Sequence, residues 1–140
     1  MVAMRRCLLL LLASAWMLAA AEPKTETIEG KLIVRQGAAA ILETAGHQAI
    51  ELSGDPSTQK VLHDERLNGM TAQATGHYIA PGKFLLDPQH KRALLVRKGE
   101  TLKMITYWCE VCQLRSYTPG PCVCCQGETD LDLRNLDDIR

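Results

Sequence analysis

The sequence predicts a mainly β protein: a small barrel with one short helix, followed by a C-terminal cysteine-rich hairpin. Three observations carry that reading. Between Ile28 and Arg97 the apolar residues alternate in short runs separated by turn residues, the pattern of half-buried strands. A single stretch, opening at Asp55-Pro56, has the start signals of a helix. Five of the six cysteines fall in the 17 residues from Cys109 to Cys125.

The chain has 140 residues, a length that suits one domain. Its first 21 read as a secretory signal peptide. Arg5 and Arg6 form a basic start, Cys7 to Ala20 an apolar run of 14 residues, and Ala19-Ala20-Ala21 a small-residue cleavage site before Glu22-Pro23. The apolar run is shorter than the roughly 18 to 20 residues that span a bilayer, so no membrane anchor is expected after cleavage. Cys7 lies too early for a lipoprotein cysteine, and the residues flanking Arg5-Arg6 do not fit a twin-arginine signal. The expected location is exported, either periplasmic or secreted. Removing residues 1–21 takes away two arginines and no acid. That leaves 119 residues with 14 basic and 16 acidic side chains, a net charge of −2. No basic patch advertises a nucleic-acid partner. With one Phe, three Tyr and one Trp left, the core must be built from Leu, Ile, Val and Ala.

Residues 22–27 read as a polar arm. In the first strand Ile28, Gly30, Leu32 and Val34 share one face, and Glu29, Lys31, Ile33 and Arg35 the other. Gln36-Gly37 is a turn. Ala39 to Thr44 and Gln48 to Leu52 form a hairpin about Ala45-Gly46-His47. The helix is expected over residues 56–64, and Asn68-Gly69 ends that segment. Met70 to Ile79 alternates again, and Gly76 inside it predicts a bulge or sharp bend. Lys83 to Leu86, Ala93 to Arg97 and Thr101 to Tyr107 are further strands. Ala80-Pro81-Gly82, Asp87-Pro88-Gln89-His90 and Lys98-Gly99-Glu100 are the turns between them.

Three strands, a helix and two more strands resemble the OB-fold over residues 28–97. The passage Leu67-Asn68-Gly69-Met70-Thr71-Ala72-Gln73-Ala74-Thr75-Gly76 is similar to the step from helix to fourth strand in small exported bacterial OB-like domains. Most of the mature chain resembles a family of small exported bacterial proteins with an OB-like body and a C-terminal zinc-ribbon or zinc-knuckle cysteine cluster. The resemblance brings no activity with it. It implies a barrel domain over residues 22–107 and a metal-binding hairpin and tail over residues 108–140. A face or loop of such a barrel often meets a ligand, here an unidentified protein or small molecule.

Cys109-Glu110-Val111-Cys112, nine residues, and Cys122-Val123-Cys124-Cys125 give C-x2-C-x9-C-x2-C when Cys122 and Cys125 are the second pair. A C-x2-C turn brings two sulfurs to one side of a tight loop. Two such turns on facing arms place four thiolates around a tetrahedral zinc ion. Gln113 to Tyr117 is one arm, and Thr118-Pro119-Gly120-Pro121 reverses the chain. The spacer is shorter than in most zinc ribbons, and no Gly follows Cys112. Cys124 is an alternative ligand or a free thiol. Two other readings stay open. An exported chain forms disulfides, although five cysteines leave one unpaired. A redox or copper-handling protein would use the same soft sulfur cluster.

No catalytic constellation stands out, and an enzyme is the less favoured class. His47, His63, His77 and His90 share no metal-binding spacing. His63-Asp64 is the one candidate acid–base pair, with no nucleophile motif beside it. Met70, Met104 and Trp108 read as packing residues, with Tyr107-Trp108 shielding the metal loop. Residues 128–140 alternate acidic and apolar side chains, which predicts a last short strand before Arg134 and a loose end after it.

Overall fold

A computed structural model describes residues 21–138. The expected signal peptide lies outside the described residues except for Ala21. Among the described residues no helix is long and apolar enough to cross a membrane.

The chain runs through β1 (Glu26–Ile33), β2 (Ile41–Thr44), β3 (Ala49–Ser53), α1 (Pro56–Leu62) and a 3-10 turn (Glu65–Leu67). It continues through β4 (Thr71–Ala80), β5 (Lys83–Leu86), α2 (His90–Ala93), β6 (Leu94–Lys98), β7 (Thr101–Cys109), β8 (Leu114–Ser116) and β9 (Asp130–Asn135). The strands β1-β2-β3-β5-β4 close into a five-stranded barrel, because β4 pairs back onto β1. Among the described strands only β3 and β5 pair in parallel. The helix stands between β3 and β4. This is the predicted OB-like order.

The alternation within each strand explains the barrel. Leu32, Leu42, Leu52, Ala72, Ala74 and Phe84 all point inward and are buried in one core. Closure requires close backbone approach at two glycines. Gly30 pairs with both Thr44 and Ala72, and a Cβ there would lie 2.3 Å from the Glu43 carbonyl oxygen. Gly76 pairs with both Glu26 and Leu86, and its Cβ would lie 2.0 Å from the Leu85 oxygen. Gly76 is therefore a contact point and not the predicted bulge. The break in register falls instead between Tyr78 and Ala80.

α1 starts as expected. The Asp55 carboxylate accepts the Thr58 backbone N–H at 2.7 Å, with Pro56 in the first turn. It ends at Leu62, two residues earlier than expected, because Asp64 turns its carboxylate onto the Arg66 N–H and opens the 3-10 turn. The predicted turn at Asp87–His90 gives way to the short α2, entered through Gln89 in the left-handed region at φ 72°.

After α2 the chain returns along the first half of β4 as β6, and the sheet then grows outward. One edge of β7 carries β6 and β8, and the other carries β9. Ile105 and Tyr107 on β7 enter the barrel core, with Leu131 and Leu133 of β9 packed against it. The cysteine hairpin is thus continuous with the barrel through β7. β9 includes Arg134 and Asn135, and an Asn135–Asp138 turn follows it, so residues 135–138 are more ordered than the expected loose end.

Candidate metal centre

β7 delivers Cys109 at its last residue, and β8 begins two residues after Cys112. The second pair sits on the loop between β8 and β9, which Thr118 to Pro121 turns back as predicted. The Sγ atoms of Cys109, Cys112, Cys122 and Cys125 all lie within 4.8 Å of one another. Cys109 and Cys125 are 3.6 Å apart. Four sulfurs around zinc at about 2.3 Å stand about 3.8 Å from each other by tetrahedral geometry. The four thiols are thus gathered at metal-ligand spacing. The five described cysteines are free thiols.

The two cysteine loops have parallel constructions. Gln113 follows Cys112 at φ 53°, and Gln126 follows Cys125 at φ 59°. Both adopt the left-handed conformation that glycine usually supplies. This answers the missing Gly after Cys112. The signal is in the sequence as a repeated C-x2-C-Q, at Cys112-Gln113 and Cys125-Gln126, which cysteine spacing alone does not reveal. Backbone N–H groups point at the sulfurs: Cys112 N–H toward Cys109, Cys124 N–H toward Cys122, and Gly127 N–H toward Cys125, each at 3.4 Å. Such donors stabilise thiolate charge. The N–H groups of Cys125 and Cys124 draw the Cys122 thiol down to about 7. Cys112 is pushed up by the adjoining thiols of Cys124 and Cys125, and then by burial. Cys109 also moves upward. The Cys112 N–H works to lower it, but burial and the thiols of Cys122 and Cys125 outweigh that donor.

Cys109 and Cys122 are buried, whereas Cys124 and Cys125 are exposed. Cys124 stands outside the group of four and beside Cys112. Val111 and Val123, the second residues after Cys109 and first after Cys122, project into solvent.

Comparison with protein-family models, curated proteins and solved structures yields no match to this chain. Of the expected resemblance the structure shows the small β-barrel and the four-cysteine cluster, and no matched relative ties the chain to a family.

Other predicted residues take different roles. Tyr107 does not shield the cysteines. Its ring is buried in the barrel core with the Arg66 guanidinium 5.1 Å above it. Trp108, on the opposite face of β7, stacks under Arg115 at 4.9 Å and donates its indole N–H to Glu110 at 2.9 Å, bracing the first cysteine loop. His63 and Asp64 do not form an acid–base pair. His63 Nδ1–H donates to the Gln59 carbonyl at 2.6 Å, and Asp64 pairs with Arg66 at 2.9 Å. His47 lies 3.3 Å from Glu43, and His77 is half-buried on β4. His90 is buried, and its Nε2–H donates to the Tyr117 carbonyl at 2.6 Å. Met70 packs against the core, but Met104 is buried outside it.

A set of bonds that the sequence did not reveal fastens the cysteine loops to the barrel. Arg66 donates to the Thr129 carbonyl at 2.9 Å, and the Thr129 hydroxyl donates to the Gly120 carbonyl at 2.8 Å. The Cys122 N–H donates to the Gly127 carbonyl at 2.8 Å. On the outer face Arg115 donates to Thr106 at 2.6 Å and to Asp132 at 2.7 Å, so β8 and β9 are tied across β7.

Proposed function

We propose that this protein is an exported, non-enzymatic binding or interaction module. Its C-terminal hairpin is locked onto an OB-like barrel by a structural zinc ion on Cys109, Cys112, Cys122 and Cys125. The observation that carries the reading is the gathering of those four sulfurs within 4.8 Å of one another. Zinc accepts four thiolates in a closed tetrahedral site with no position left for a substrate. The N–H groups aimed at Cys109, Cys122 and Cys125 fit thiolates bound to a cation. The signal-peptide pattern of residues 1–21 supports export. The use of His63, Asp64 and His90 in backbone and ion-pair contacts supports a structural role for them over an acid–base one.

A second reading, a thiol-redox or copper-handling protein, is favoured by one observation. Cys124 is an exposed thiol beside a ligand-spaced cluster. Sulfur-rich sites also select Cu(I).

Elemental mass spectrometry with thiol titration, on protein isolated from its own compartment, separates these readings. One zinc per chain, with the four thiols released only after chelation and unfolding, is the expected result. Cys109→Ser should lose the metal and destabilise the fold, whereas Cys124→Ser should keep full metal content. No metal and a single free thiol would replace the zinc site with two disulfides. Copper, or thiols that cycle with a redox buffer, would make the cluster the working site.

A further inference from the structure

We infer that the groove between α2, the outer face of β6–β7 and the tail after β9 binds a small organic anion with an apolar body, a carboxylate or sulfonate carrying an alkyl or aryl group. The groove encloses about 540 Å³, within the usual range for small-ligand sites. Its floor is Leu95 and Met104, cross-strand partners on β6 and β7. They are 8% and 5% exposed, yet neither belongs to the barrel core, because they point away from it. Leu136, an exposed leucine just after β9, forms an apolar wall.

The opposite wall is Tyr117, held in place by the His90 bond to its carbonyl. A wall fixed before the ligand arrives lowers the ordering cost of binding. Lys91 lies 5.1 Å over the Tyr117 ring, with Arg92 next to it on α2. Both cations are exposed, and among the described residues neither forms an ion pair. Among the described residues Asp137 is the one acid in the lining, which leaves them a net charge of +1 there. An apolar floor beside two unpaired cations is complementary to a ligand with a single negative charge and a hydrocarbon body. It is not complementary to a polyanion, which would need a larger basic surface.

The inference names the ligand class for the binding module proposed above, and it rests on that reading without depending on the metal's identity. The test uses full-length mature protein whose metal and thiol content has been measured first. Decanoate, decanol and decylammonium are titrated below their micelle thresholds by calorimetry, and amide shifts are followed by NMR. Decanoate should saturate one site per chain and shift the amides of Arg92, Leu95, Met104, Tyr117 and Leu136. Decanol should bind roughly tenfold more weakly, the size of one partly screened charge contact, and decylammonium more weakly still. Lys91→Glu should weaken decanoate and Asp137→Asn should strengthen it. Equal affinity for decanoate and decanol, shifts centred on β1–β3, or failure to saturate a fully metallated protein would each overturn the inference while leaving the zinc reading intact.

Discussion

At the scale of single residues, Asp64, Arg66 and Tyr107 decide how the barrel meets the cysteine loops. Burial works to raise the Asp64 carboxyl, but the hydrogen bonds from Arg66, helped by the nearby Tyr107 hydroxyl, outweigh it and the net direction is down. The same balance, with Arg115 and Arg134 as donors, holds Asp132 down. A carboxyl that is lower in the folded chain contributes its full stability above its unfolded pKa. That contribution is lost as pH falls through the folded value. The urea midpoint should therefore drop below about pH 4, and Arg66→Ala should reduce the size of that drop. At neutral pH Arg66→Ala should cost about 2 kcal/mol, since it removes the Asp64 pair and the bond to Thr129 while water reaches part of the vacated site. The Tyr107 hydroxyl is buried beside the Asp64 carboxylate, without a hydrogen bond of good geometry. Burial first, and then the nearby Asp64, push its pKa far above the ordinary phenol range. Tyr107→Phe should change stability by no more than about 1 kcal/mol, because it deletes a polar atom that makes no hydrogen bond of good geometry and keeps the ring. A large loss in that variant would show that the hydroxyl has a partner.

At the scale of elements, the tight points are backbone contacts and left-handed turns. Gly76→Ala should destabilise by about 3 kcal/mol, since its new methyl meets the Leu85 carbonyl and a backbone cannot move aside cheaply. Chemical denaturation of Gly76→Ala beside Gly37→Ala compares steric contact with backbone conformation alone, because nothing lies within 4 Å of a Cβ at Gly37. In the cysteine loops Gln113→Gly should be neutral or stabilising by up to about 1 kcal/mol, whereas Gln113→Val should lose stability through the same positive φ. Denaturant midpoints of the two variants measure the strain. Strand existence was legible in the alternation of Ile28 to Val34 and of Met70 to Ile79, because the period of two is a local property. α2 was not legible. Its four residues have no side-chain cap at their start, and its position depends on β6 returning to β4 and on His90 reaching Tyr117. The end of α1 was missed for a related reason. Asp64 lies within the expected helix but uses its carboxylate to start a different turn.

At the scale of the whole molecule, barrel and cysteine hairpin share β7. A chain ending at Lys98 would lose Ile105, Tyr107, Leu131 and Leu133 from contact with the core. It should fail to give a cooperative thermal transition, whereas a fully independent 22–98 barrel would melt as sharply as the intact protein. Metal removal by a chelator should first release amide protection in residues 109–129. The barrel should keep most of its protection, since its core contains no cysteine. The amino-acid sequence by itself determined the succession of strands and helix along the chain, the four-cysteine spacing and the turn that folds the spacer. Each follows from local periodicity or from turn chemistry a few residues long. Only the tertiary structure decided that Cys124 stands outside the group of four, that Tyr107 enters the core, and that Met104 and Leu95 form a groove floor away from it. Those outcomes depend on the register of β7 against β6 and β9, partners up to 32 residues apart in the chain. Many such pairings satisfy the same local pattern, and shared burial in one core selects among them.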